Sequence, residues 1–146
     1  NGAYSEKILK FFKKKFDFNF YLVDPWNRNG FTDYSQEYLD KCYNNVKNKF
    51  EDKKEIEILR LSSELAAKKF ETDSLDFVYI DGNHSYDNVL NDLEIWFPKL
   101  KSHGILFGDD YARSYGVHQA VNEFSFKHNL VVQFSDNSNQ YCFIKS

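Results

Sequence analysis

Between Leu75 and Phe97 the sequence reads LDFVYIDGNHSYDNVLNDLEIWF. An apolar run ends in Asp81-Gly82-Asn83-His84, and a segment studded with carboxylates at helical spacing follows. A second apolar run, ILFG, ends in Asp109-Asp110. Clustered carboxylates repel one another unless a proton or a cation intervenes. A hard divalent ion, Mg²⁺ or similar, is held by carboxylate and water oxygens. Asp81, Asp109 and Asp110 are therefore candidate metal ligands. His84, three residues beyond Asp81, can in its neutral form take a proton from a hydroxyl near pH 7. Each residue taken singly also has a plain reading: a turn-forming or capping Asp, and a histidine that hydrogen-bonds its own turn.

The elements that must position these residues are legible from periodicity. Ile8, Leu9, Phe12 and Phe16 recur at three- and four-residue steps, which predicts a helix over Ala3–Phe16. FNFYLV, Phe18–Val23, predicts a strand stopped by Asp24-Pro25. Thr32 or Asp33 can cap a helix with Leu39, Tyr43, Val46 and Phe50 on one face. Ile56–Leu59 predicts a brief strand, Ser62 or Ser63 a cap for a helix to about Phe70, and Leu75–Ile80 the clearest strand. Ser85 can cap a helix whose stripe is Val89, Leu93, Trp96 and Leu100. Gly104 predicts a turn into the strand Ile105–Phe107, and Gly116–Phe126 a further helix. Leu130–Phe134 and Tyr141–Ile144 predict a hairpin joined by SDNSNQ.

Helix and strand alternating in this way predict an α/β fold, a parallel sheet with helices on both faces. Ligands collect at the carboxyl ends of such strands. Asp24, Asp81 and the Asp109-Asp110 pair all stand at predicted strand ends, and three acidic ends on one rim favour a site over three unrelated turns. An acid at the position of Asp24 can accept hydrogen bonds from ribose hydroxyls. Gly2, directly before a helix in NGAYSEKI, reads as the end of a glycine-rich turn that lets the backbone approach a ligand. Trp26, Tyr86 and Tyr111 could wall the pocket, with core packing as the plain alternative.

The totals set bounds. At 146 residues the chain predicts a single domain with no internal boundary. No apolar run reaches 18 residues, so no membrane span is expected. The net charge is −3 and 16 of the 19 basic residues are Lys, so the Lys clusters at 13–15, 53–54 and 68–69 read as solvated surface and no nucleic-acid partner is expected. Cys42 and Cys142 lack metal-ligand spacing and predict two reduced thiols, which suits a cytoplasmic location. With 15 Phe and 10 Tyr the core should be ring-rich.

LDFVYIDGNHSYDNVLNDLEIWFPKLKSHGILFGDDY, followed by GVHQAVNEF, resembles the class I S-adenosylmethionine-dependent methyltransferases. It is similar to the small-molecule and sugar O-methyltransferase-like group of family 24 type, with its D-x-V-x-I-D-G-x-H-x-Y run, a D-L-x-x-W helix and G-G-x-x-x-x-D-D. NGAYSEKI, FYLVDPW and LRLSSELAAKKF follow in family order. The resemblance implies a Rossmann-like, seven-stranded sheet with a C-terminal antiparallel hairpin, whose first strand would precede Asn1. It implies an enzyme that moves a methyl group from S-adenosylmethionine to a hydroxyl of a sugar, glycan or small molecule. It implies that Gly2, Asp24, Ser62, Ser63 and Asp81 contact the cofactor, that Asp81, Asp109 and Asp110 hold Mg²⁺, and that His84 and Asp81 are catalytic, His84 as the base. His103 stands where a glycine is usual. Metal-independent transfer, a sugar-nucleotide transferase and a catalytically inactive binding or scaffold module are the alternatives. A homo-oligomer stays open.

Overall fold

A computed structural model describes residues 17–28, 34–134 and 139–146. Gly2, the helix expected over Ala3–Phe16, and Thr32 and Asp33 lie outside the described residues. Contacts group the chain into two compact units, with the break between Ala66 and Ala67.

In the first unit, β1 (Phe20–Val23) pairs in parallel with β2 (Ile56–Leu59), Val23 opposite Leu59. Helix α1 (Gln36–Phe50) connects them. The helix starts at Ser35, whose hydroxyl accepts from Tyr38 N. That satisfies one of the amides a helix start leaves without a partner. Val46 and Phe50 are buried on its inner face, and Leu39 and Tyr43 pack beside them, as the spacing predicts. Phe20, Leu22, Ile56 and Ile58 from the two strands close this small core. Burying each large apolar side chain contributes about 1.5–3 kcal/mol. Ser62, not Ser63, caps the short helix α2 (Ser63–Ala67), its hydroxyl accepting from Leu65 N.

The second unit is a four-stranded sheet of order β3-β4-β6-β5. Strand β3 (Leu75–Ile80) lies parallel to β4 (Leu100–Gly108), with Ile80 opposite Gly108. Strand β6 (Tyr141–Ile144) runs antiparallel to β4 and to the two-residue β5 (Gln133–Phe134), which gives the expected hairpin with a shorter first arm. Helix α3 (Tyr86–Trp96) follows β3 and helix α4 (Tyr115–His128) follows β4, and the two pack together. Val89, Leu93 and Trp96 are buried on α3, and Val117, Ala120, Val121 and Phe124 on α4. The rings of Phe97, Phe124 and Phe143 meet at 5.3–6.5 Å in edge-on contacts, an arrangement that aromatic quadrupoles favour.

Two expectations need correction here. Leu100 is fully buried but opens β4 instead of closing the α3 stripe, because Pro98 ends the helix in a single 3-10 turn. Strand β4 is also longer than Ile105–Phe107. Its register shifts between Leu75 and Phe77, which face Leu100 and Ile105, so extra residues bulge from one strand. His103 sits in this bulge at φ 64°. A left-handed residue is costly for most side chains, which gives a physical reason for glycine to be usual there.

Parallel strands linked through helices occur in each unit, which is the mixed α/β class expected. None of the described helices is long and apolar enough to cross a membrane.

Candidate functional site

In the second unit, parallel pairing ends β3 and β4 side by side, so the residues after Ile80 and after Gly108 emerge together. Asp109 N donates to Ile80 O at 3.3 Å and continues the ladder one step past the strands. Asp81 and Asp110 then meet His84. Nδ1 of His84 lies 3.3 Å from Asp110 Oδ2, and Nε2 lies 3.8 Å from Asp81 Oδ1. One ligand atom from each of the three residues falls within 4.8 Å of the others. The imidazole is thus flanked by a carboxylate on each ring nitrogen.

Asp109 does not join that group of three. Its Oδ1 accepts from Asp110 N at 2.9 Å, and its Oδ2 faces the hydroxyl of Tyr79 at 3.4 Å. Gln140 Nε2 donates to the same Tyr79 hydroxyl at 3.1 Å. Asp109 therefore braces the turn from behind while Asp110 faces His84. The turn is strained: Asp110 has φ 60°, a left-handed conformation that costs about 1 kcal/mol or more for a non-glycine residue and that Asp tolerates better than most. Arg113 N and Ser114 N donate to Asp110 O and lock it.

His84 is held from the other side. Asn83 Oδ1 accepts from Ser85 N in a tight side-chain turn. Ser114 Oγ donates to His84 O at 3.2 Å. Gly116, at the start of α4, lets the helix lie directly on this loop. A Cβ there would fall 2.5 Å from His84 O. Similarly, a Cβ on Gly108 would fall 2.2 Å from the ring of Tyr141, which is buried against it.

A recess opens at these strand ends. Ile80, Val89, Val117 and Tyr141 form its apolar wall, and Asp81, Asn83, His84 and Asp109 its polar rim. Burial pushes the Asp81 carboxyl above its ordinary value, and the charges of Asp109 and Asp110 add to this, against a partial offset from His84. Burial, with a contribution from Asp92, also drives the Tyr141 hydroxyl well above its usual range, so it stays protonated. The carboxylates of Asp81 and Asp110 are oxygen donors of the kind a hard divalent cation takes, with the imidazole of His84 beside them.

In the first unit, Asp24 follows β1 and extends the pairing by donating its N–H to Leu59 O. Its Oδ1 accepts from Trp26 N at 2.7 Å. Burial raises its pKa, and that backbone hydrogen bond opposes the shift. Ser62 and Ser63 follow β2 at the start of α2. Of the aromatic residues that could wall a pocket, Trp26 belongs instead to the core beside Tyr43, Tyr111 packs in tilted contacts among His118, Phe134 and Tyr141, and Tyr86 donates to Glu123.

Sequence reasoning passed over the supports: Tyr79 and Gln140 behind Asp109, Ser114 and Gly116 behind His84, and Arg60 at the end of β2. Arg60 alone left a trace, as one of three arginines in a chain that otherwise uses lysine.

Comparison with known proteins agrees with this architecture. The chain superposes on the O-methyltransferase NovP with a TM-score of 0.68 at 16% identity, covering 97% of this chain and 65% of that one. It superposes on the S-adenosylhomocysteine-bound methyltransferase PaMTH1 of Podospora anserina with a TM-score of 0.58 at 14% identity, covering 87% and 70%. At these identities the likeness is one of fold. In sequence, the chain is 37% identical over 60 residues to protein y4gI of Sinorhizobium fredii, which is 40% of this chain and 7% of that protein. The chain thus spans a small part of that relative and about two thirds of NovP. The methyltransferase-domain model of family 24 matches residues 3–111, three quarters of the chain, and the chain belongs to that family.

Proposed function

We propose that this chain transfers a methyl group from S-adenosylmethionine to a hydroxyl oxygen of a sugar, glycan or small molecule, with help from a divalent cation. The observation that carries the reading is the convergence of Asp81, His84 and Asp110 where β3 and β4 end. Family membership and the O-methyltransferase and S-adenosylhomocysteine-bound neighbours supply the donor.

Methyl transfer is an in-line displacement. An oxygen lone pair forms the new O–C bond as the C–S bond breaks, and the sulfur leaves as neutral S-adenosylhomocysteine. Positioning supplies much of the acceleration in such a step. A divalent cation such as Mg²⁺, when bound, supplies positive charge that lowers the pKa of a neighbouring hydroxyl. Asp81 and Asp110 are the carboxylates we assign to it. Asp109 keeps Asp110 aimed by occupying its own oxygens with Tyr79 and the Asp110 amide. A neutral His84 whose Nδ1–H donates to Asp110 offers Nε2 as the acceptor for the hydroxyl proton. Asp24 and Ser62 with Ser63 are assigned to the donor's ribose and adenine, and Gly2 to its approach loop.

Asp110→Ala tests this directly. With labelled S-adenosylmethionine and a panel of vicinal diols, transfer should fall at least about hundredfold, while donor binding measured by calorimetry stays intact. Loss of donor binding in that variant would remove Asp110 from the acceptor side. Transfer that survives excess chelator would remove the metal. Failure of the unaltered chain to bind donor would favour an inactive binding module.

A further inference from the structure

The loop that carries Asp24 is held by a closed ring of side-chain hydrogen bonds. We infer that this ring sets the aim of the Asp24 carboxylate, and that Arg60 is its positioning residue. The inference rests on the reading of Asp24 as the acid that holds the donor's ribose.

The ring is built as follows. After Asp24 and Pro25 the chain turns at Trp26, which has φ 42°. A tryptophan in the left-handed region persists only where its surroundings over-determine it. Two donors converge on its carbonyl oxygen: Gln36 Nε2 at 2.9 Å and Arg60 Nη2 at 3.1 Å. Both donors also bond Asp40 Oδ1, Gln36 at 3.0 Å and Arg60 through a close ion pair. The circuit therefore runs from the Trp26 carbonyl through Gln36 and Asp40 to Arg60 and back. The aromatic side of the loop is clamped by the same residue. The guanidinium of Arg60 lies 4.7 Å from the centre of the Tyr43 ring, and the indole of Trp26 packs on that ring at 5.2 Å.

The consequence for Asp24 is geometric. The Trp26 amide, fixed by this turn, takes Oδ1. That pins the carboxylate plane and, among the described residues, leaves Oδ2 as the oxygen to offer a ribose hydroxyl. Were Arg60 only a surface ion-pair partner, a lysine would serve. A guanidinium whose plane covers the Tyr43 ring while its Nη2 bonds both the Trp26 carbonyl and the Asp40 carboxylate has a flat face that the lysine ammonium lacks.

The test uses two probes on the full chain: S-adenosylhomocysteine and its 2′,3′-dideoxy analogue, titrated by calorimetry. The ratio of the two affinities reports the diol contact. Arg60→Lys should lower that ratio about tenfold, roughly the contribution of one well-made hydrogen bond. Asp40→Asn, which removes the charge holding Arg60, should move it the same way. The affinity for the dideoxy probe should stay unchanged in both variants. An unchanged ratio in both variants, even with a lower melting temperature, would overturn the inference and make the ring merely structural. If the unaltered chain binds both probes equally, the assignment of Asp24 falls and the inference with it. If it binds neither, the donor reading falls as well.

Discussion

The ends of the two parallel strand pairs make an instructive contrast. After β1 and β2, acids are balanced: Asp40 faces the Arg60 guanidinium, and Asp24 is bonded into its own turn. After β3 and β4, Asp81 and Asp110 converge on the half-exposed His84, and among the described residues neither Lys nor Arg contributes to the shift at Asp81. In the first arrangement hydrogen bonds and an ion pair shape the loop and fix one oxygen of Asp24. The second brings two carboxylates onto one imidazole, and the proposed cation would sit there. Strand ends of the same parent fold can thus hold acids for opposite physical purposes, and the test is whether each charge already has its partner.

The contrast is broken most severely at His84. His84→Ala should cut transfer by about 10²–10⁴-fold, the usual contribution of a positioned base, in a rate assay at saturating donor. Donor affinity should not change. A variant retaining full rate would return His84 to a structural part.

Next in size are the two glycines that allow close packing. Gly108→Ala drives a methyl group into the buried Tyr141 ring, which should cost about 1–3 kcal/mol or more in urea unfolding. Gly116→Ala meets the His84 carbonyl. It should cost a similar amount, on the order of 1–3 kcal/mol, and should also lower transfer by displacing the histidine loop. Equal activity in both variants would show that this loop tolerates displacement.

A cation titration sharpens the contrast at smaller scale. Adding Mg²⁺ or Mn²⁺ should raise the melting temperature of the parent by a few degrees at about a hundredfold excess over the dissociation constant. The rise should vanish in Asp110→Asn and persist in Arg60→Lys. A rise that survives Asp110→Asn would place the ion elsewhere.

The smallest effect is electrostatic. Asp81 has a folded-state pKa above its ordinary 3.8. The folded state therefore binds that proton more tightly than the unfolded state, and stability falls as pH rises from 3.8 through the raised value. Asp81→Asn removes this loss. With chelator present, the variant should be more stable than the parent at pH 7. The gain should be under about 1 kcal/mol, because a carboxyl that is 48% exposed is largely screened. It should disappear below pH 3.8, and denaturant melts at pH 3.5 and 7 check both ends.

Much of this molecule was readable before its fold was known. Leu75–Ile80 and Ile56–Leu59 are strands where the apolar runs place them, and Ser85 starts α3. These are local properties: strand and helix periods, cap residues and apolar runs act over a few neighbours. The bulge at His103 was not readable, since it arises from pairing between Leu75–Phe77 and Leu100–Ile105.

The site divides in the same way. The amino-acid sequence by itself determined that acids follow Val23, Ile80 and Gly108 and that a histidine stands three residues past Asp81, because those are matters of spacing along one chain. Only the tertiary structure decided that Asp110 faces His84 while its neighbour Asp109 turns back to Tyr79, and that Arg60 reaches the Trp26 carbonyl. Adjacent carboxylates differ by backbone torsions and by partners far along the chain, Tyr79 for Asp109 and His84 for Asp110. No local rule of spacing carries that information.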